Sequence, residues 1–250
     1  MYGCIMHPGD AMSRIIEVVE RIIVPEFPEL PSEDGIPLES NWHRNQINLL
    51  VDSVRQLWAG RTDFFAGGNM FVYYSLQQVR NRDYKGPDFF VVKDVDGAKD
   101  RPSWIIWEED GRFPDVIVEL PSPTTADSDL GVKKDLYERT FKTPEYYCYD
   151  PDSRRLLGWR LEKRFPYTPI APSEEGRLWS EELGVSLGLW EGEYQGLHAP
   201  WIRLFGRDGS LQPTAAEGEH ARAEAESARA EAAESEAARL REELRQLKDG

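Results

Sequence analysis

The spacing of apolar positions changes several times along the chain, and each change predicts an element. From Ser13, the residues Ile15, Ile16, Val18, Val19, Ile22 and Ile23 recur at helical spacing until Pro25 stops the run. Residues 27–38 are rich in Pro, Glu and Asp and predict an irregular loop. Ile47, Leu50, Val51, Val54 and Leu57 then mark the buried stripe of a second helix over residues 40–58. Strand patterns follow at residues 63–66, 70–75, 88–92 and 116–119, with Gly67-Gly68 suited to a tight turn or bulge between the first two. After a helix holding Lys133, further strands are predicted at residues 146–149, 156–161 and 185–189, with a late apolar run at 201–205. Helix, strands, helix, strand in this order predict an α/β core: a mixed β-sheet flanked by helices, with extra strands at its edge.

Composition shifts after Pro213, where the chain becomes mostly Ala, Glu and Arg without aromatic residues. Ala223, Ala230, Ala233, Ala237, Leu240, Leu244 and Leu247 fall on alternating three- and four-residue steps, interrupted at Glu226. An extended C-terminal helix is expected. Its face reads equally as an alanine-heavy coiled-coil seam or as one side of a solvated single helix held by charge pairs, because alanine buries little area. The chain thus divides into an N-terminal helix and loop over residues 1–34, an α/β domain over 35–212, and a helical tail over 213–250.

At 250 residues with 40% hydrophobic content, the chain can bury one substantial core and carry an appendage. Cys4 and Cys148 lie far apart without metal-ligand spacing, which argues against zinc and a disulfide scaffold. No basic-then-apolar leader and no span-length apolar run occurs, so a soluble cytoplasmic protein with no membrane association is expected. The formal net charge of −15 disfavours a protein that coats nucleic acid by bulk electrostatics. A local basic rim or bound divalent cations can still do locally what the net charge does not.

Candidate chemistry concentrates between Asp88 and Tyr137. Pro87-Asp88 opens the run Phe89-Phe90-Val91-Val92, and the run Val116-Ile117-Val118 ends in Glu119 before the turn-forming Leu120-Pro121-Ser122-Pro123. Asp129, Lys133 and Tyr137 recur every four residues and so share one helix face. Two acids and a lysine converging on one point are the minimal parts for metal-assisted phosphodiester hydrolysis. Each residue also has an ordinary reading. Asp88 suits a turn after proline, Lys133 suits a surface pair with Asp129, and Tyr137 suits core packing. Glu39 complements a helix N-terminus, and His43 belongs to no histidine cluster, so a structural role fits it. Glu119 carries the most information, because a carboxylate at the end of a strand buried on both faces is costly without a partner.

Taken together, these motifs resemble the Uma-two family of restriction endonucleases, within the PD-(D/E)XK nuclease superfamily. The resemblance runs from about Gly35 to Phe205 and rests on Pro37-Leu38-Glu39-Ser40-Asn41-Trp42-His43, Gly68-Asn69, Pro87-Asp88, Val118-Glu119-Leu120, Ser122-Pro123-Thr124, Asp129-Leu130-Gly131, Lys133, Tyr137 and Glu145-Tyr146-Tyr147. It implies a restriction-endonuclease-like core and an endodeoxyribonuclease acting on DNA. It further implies Asp88 and Glu119 as ligands of Mg²⁺ or Mn²⁺, the Leu120 carbonyl as a further ligand, and Glu39 as an auxiliary acid. Pro121 stands where the superfamily places its lysine, and the resemblance implies that Lys133 on the following helix supplies that charge. The rival expectation is a catalytically silent domain of this fold that binds DNA or a protein partner. A homo-oligomer, through the tail or the core, is also expected.

Overall fold

Ser40 caps the first helix of the computed structural model, which describes residues 40–81, 86–121, 129–151, 153–162 and 166–248. Its hydroxyl accepts the His43 N–H at 3.1 Å and so satisfies one free amide of the helix Asn41–Leu57 (α1). The helix predicted from Ser13, and Glu39, lie outside the described residues. Ile47, Leu50 and Val54 are buried as the stripe predicts, but Val51 and Leu57 are only half-buried. His43, Gln46 and Ser53 take buried places on that face instead. Polar residues enter a helix's buried face when a partner awaits them, and for His43 and Gln46 the partner lies far away in sequence.

The chain continues through Phe64–Gly67 (β1), Val72–Tyr73 (β2), a short helix Leu76–Asn81 (α2), Phe89–Lys93 (β3), Trp104–Ile105 (β4) and Val116–Glu119 (β5). A helical segment over residues 129–141 follows. It is wound as π-turns at Asp129–Lys133 and Tyr137–Phe141 around the short α-helical stretch Lys134–Leu136 (α3). Then come Glu145–Asp150 (β6), Arg155–Arg160 (β7), Thr168–Pro169 (β8), Leu178–Ser180 (β9), Val185–Tyr194 (β10), Leu197–Phe205 (β11) and the helix Ala215–Lys248 (α4). Among the described residues, six strands form one mixed sheet in the order β1-β3-β5-β6-β7-β8. Only β5 and β6 run parallel in it, joined by the segment carrying Lys133. The expected extra edge strands are found in β7 and β8, but the later strands depart from that expectation, because β11, β10 and β9 form a second sheet of three. The β10–β11 hairpin turns at Gln195 and Gly196, which both have positive φ, the geometry of a type I′ turn.

Alternation along the strands divides the core between the two faces of the large sheet. Phe89, Val91, Val116, Val118, Tyr147 and Tyr149 pack towards α1 and the second sheet, with Leu187, Ile202 and Leu204. Phe90, Val92, Ile117, Tyr146 and Cys148 pack with Trp104, Tyr137 and Phe141. Because both faces are covered, β3 and β5 read as unbroken apolar runs.

Long-range polar contacts lock these layers together. The Gln46 amide donates to the Ile202 carbonyl at 3.1 Å and accepts the Ile202 N–H at 2.8 Å, so a helix side chain completes the outer edge of β11. The Trp42 indole donates to the Pro200 carbonyl, and the Gln212 N–H donates to the Leu204 carbonyl, along the same strand. Replacing Gln46 with Leu orphans two buried backbone groups and is expected to cost roughly 2–4 kcal/mol, read as a lower urea midpoint at unchanged slope. An unshifted midpoint would mean that this pair adds nothing.

The start of α4 is fixed with similar care. Thr214 and Glu217 form a reciprocal capping box, with the Thr214 N–H donating to Glu217 and the Glu217 N–H to Thr214. Arg203, buried in β11, grips the same Glu217 through two nitrogens. Beyond this first turn the helix is exposed almost throughout. None of the described helices is long and apolar enough to cross a membrane.

Candidate functional site

Strand register brings the two acids together. In the antiparallel β3–β5 pair Phe89 faces Val118, so the preceding Asp88 falls opposite the following Glu119. The Asp88 N–H donates to Glu119 Oε2 at 3.4 Å, and the Leu120 N–H donates to Asp88 Oδ2 at 2.7 Å. Two chain ends that leave the sheet side by side thus hold each other's carboxylates.

The Gly68-Asn69 turn clamps the Asp88 backbone from outside. Asn69, at φ 50°, points its N–H at the carbonyls of Pro87 and Asp88, each 3.1 Å away. Asparagine tolerates this left-handed conformation better than most residues. Gly68 is obligatory for a different reason: a Cβ there would lie 2.1 Å from the Asp88 carbonyl oxygen and 2.7 Å from Ile47.

The π-wound segment supplies the third group. Lys133 Nζ lies 3.2 Å from Glu119 Oε2 and 2.7 Å from Asp129 Oδ1, one turn earlier. Tyr137, a further turn along, donates its hydroxyl to Glu119 Oε1 at 2.6 Å. Its ring packs on Phe141 and Tyr146, and Tyr146 donates its own hydroxyl to the Asp129 carbonyl. Tyr137 is therefore the packing residue that its spacing predicts and an orienting group as well. On the opposite side, His43 Nε2 meets Asp88 Oδ1 at 2.9 Å.

Exposure grades across the cluster. The Glu119 side chain is fully buried, whereas those of Asp88 and Lys133 are 17% and 21% exposed, so the site opens to solvent on their side. Burial pushes the Glu119 carboxyl well above the usual carboxylate range; Lys133 opposes the rise, and the negative neighbours Asp88 and Asp129 add to it. Burial also raises Asp88, but the hydrogen bond and charge of His43, with Lys133 and the Leu120 N–H, outweigh it and hold the carboxyl below its ordinary value. Lys133 stays firmly protonated, because Glu119 and Asp129 more than offset its burial.

One ammonium group therefore pairs with two carboxylates while Asp88 adds a third negative charge nearby, and Asp129 Oδ2 is buried and lacks a hydrogen-bond donor among the described residues. That surplus of hard oxygen donors fits a divalent cation of the Mg²⁺ type. No three His, Cys, Asp or Glu side chains form a ready-made metal cluster among the described residues, so side chains alone do not complete a shell.

Of the residues singled out by sequence, Asp88, Glu119, Leu120 and Lys133 meet here, and Glu39 lies outside the described residues. Sequence reasoning did not foresee that His43 would reach Asp88, or that Asp129 would support Lys133 beside Glu119 rather than form an ordinary surface pair. The four-residue spacing of Asp129, Lys133 and Tyr137 carried a signal for the second; nothing local carried one for the first.

Known proteins supply an independent comparison. The family profile described as "Uma2: Putative restriction endonuclease" matches residues 34–199. A solved structure from Anabaena variabilis, titled as a putative nuclease belonging to DUF820, superposes with a TM-score of 0.43 at 14% identity, covering 59% of this chain and 76% of that one. No curated protein matches the chain.

Proposed function

Because the chain belongs to the Uma2 family of restriction-endonuclease-like proteins, we propose that it is a divalent-metal-dependent endonuclease that hydrolyses phosphodiester bonds in DNA. The observation that carries this reading is the meeting of Lys133 with Glu119 at 3.2 Å, beside Asp88 at the open end of two adjoining strands. Asp88, Glu119 and the Leu120 carbonyl would hold Mg²⁺ or Mn²⁺, with Glu39 as an auxiliary acid. When bound, the cation acidifies a water molecule and offsets charge on the scissile phosphate.

The chain's own residues divide the remaining work. Lys133, protonated and partly exposed, orients the attacking water or neutralises the phosphate oxygens as their charge grows. Asp129 steadies the Lys133 ammonium, and the Tyr137 hydroxyl fixes the plane of the Glu119 carboxylate. His43 and the Leu120 amide hold Asp88 ionised and aligned.

The test is incubation of the full chain with supercoiled plasmid and Mg²⁺ or Mn²⁺, beside a Glu119→Ala control. Nicked and linear DNA are expected from the wild type alone, and chelation should stop their formation. Equal cleavage by both proteins would trace the activity to a contaminant.

One observation favours a silent domain that binds DNA or a protein partner: every carboxylate oxygen of Asp88 and Glu119 already holds a protein donor. Calorimetric titration with Mn²⁺ separates the two readings. A stoichiometric site supports the nuclease, and silence at millimolar metal supports the binding domain.

A further inference from the structure

The helix α4 leaves the domain surface after its capped first turn and runs for most of its 34 residues with its sides in solvent. At a rise of 1.5 Å per residue it extends about 50 Å. Two large apolar side chains on it, Leu240 and Leu244, are 47% and 56% exposed. They are four residues apart and share one face with Ala230, Ala233 and Ala237. An apolar stripe of this kind is costly to leave in water and is narrow enough to be a two-helix seam.

Charges beside the stripe specify what covers it. With Ala230, Ala237 and Leu244 at the first core position of each heptad, and Ala233 and Leu240 at the second, Arg229 and Glu236 precede core positions and Glu234 and Arg241 follow them. In a parallel, in-register pair of helices, each residue before a first core position meets the residue five places later on its neighbour. Arg229 then faces Glu234 of the second copy, and Glu236 faces Arg241 of the second copy. Both pairs are attractive, and each occurs twice by symmetry. An antiparallel pair that sets Ala237 against Leu240 instead brings Glu236 against Glu243, a repulsion also doubled by symmetry. The same antiparallel pair sets Glu234 against Arg241, so its flanking charges cancel, whereas both flanking pairs of the parallel register attract.

We propose that α4 docks on a second copy of this chain as a parallel, in-register two-stranded coiled coil centred on residues 229–244. The inference does not depend on whether the chain cuts DNA. Parallel docking joins the two domains at the same end of the coil and places their sites about a common twofold axis.

Sedimentation of the full chain is expected to give the dimer mass at micromolar concentration, and Leu240→Glu with Leu244→Glu to give the monomer mass at unchanged domain fold. Glu236→Arg alone should raise the dimer dissociation constant by about tenfold or more, and adding Arg241→Glu should restore it. Direction is read from Ala230→Cys and Ala237→Cys, introduced separately: each should form a disulfide with its own counterpart on oxidation, which only the parallel register permits at both positions. A monomeric wild type overturns the proposal. So does a dimer that survives the paired leucine replacements, or one in which either engineered cysteine fails to cross-link.

Discussion

Glu119→Gln should lower the rate of plasmid nicking by about a thousandfold or more, equivalent to roughly 4 kcal/mol of transition-state stabilisation. The amide keeps an oxygen for the Tyr137 hydroxyl and removes the negative charge that faces Lys133 and Asp88. The same change should leave the metal-free protein as stable as the wild type at neutral pH, or more so. A fully buried carboxylate beside Asp88 and Asp129 costs more to ionise than its partners return, and a neutral isostere escapes that cost. Functional residues that burden the fold in this way are common.

The pH dependence follows with a definite sign. In the unfolded chain Glu119 loses its proton in the usual carboxylate range, whereas the folded chain keeps it to higher pH. Between those limits the folded state binds more protons, so its stability falls as pH rises from the usual carboxylate range towards neutrality. Asp88 shifts the other way, so its contribution is present above the usual range and is lost only in acid. Urea melts with chelator present, at several pH values, should show the Glu119 slope in the wild type and its loss in Glu119→Gln. Undiminished nicking by the variant would remove Glu119 from the chemistry, whatever the melts show.

A second large effect is expected at a residue with no side chain. Gly68→Ala puts a methyl group 2.1 Å from the Asp88 carbonyl oxygen, and backbone rather than a flexible side-chain tip must give way. Displacing the Asp88-Phe89 peptide unseats Asp88 from the Leu120 amide and from His43. The expected outcome is about 3 kcal/mol of lost stability together with about a hundredfold lower nicking rate, since errors of an ångström at a reacting centre have that weight. Gly131→Ala is the internal comparison. Its Cβ meets nothing within 4 Å, and in a helical segment it should gain roughly 0.5–1 kcal/mol. If Gly68→Ala melts and cuts like the wild type, the turn does not hold Asp88.

Long patterns were legible in the sequence and short ones were not. The stripe from Ile47 to Val54 and the runs at β3 and β5 extend far enough for their period to show, and the runs alone put Asp88 and Glu119 at strand ends. The elements β4, β8 and β9 span two or three residues each, too few to display alternation, and the separate sheet of β9, β10 and β11 followed from none of them. The π-winding around Lys133 likewise leaves no mark that differs from an ordinary helix. His43 reads as structural from sequence because its partner lies 45 positions away, on a strand whose place depends on the whole sheet. Gln46 is hidden by a still longer separation, 156 positions from Ile202. Contacts of that length are properties of the assembled layers.

The outermost strand of the small sheet has a bearing on how the protein behaves when crowded. Free backbone groups along a sheet margin recruit strands from other molecules, the first step towards fibrous aggregates. On β11 the carbonyls of Pro200, Ile202 and Leu204 are occupied by Trp42, Gln46 and Gln212, and Gln46 also takes the Ile202 amide. Proline contributes no amide to recruit with. A neighbouring molecule therefore finds little to hydrogen-bond along this margin, and lengthwise stacking of sheets is discouraged where the architecture would otherwise invite it.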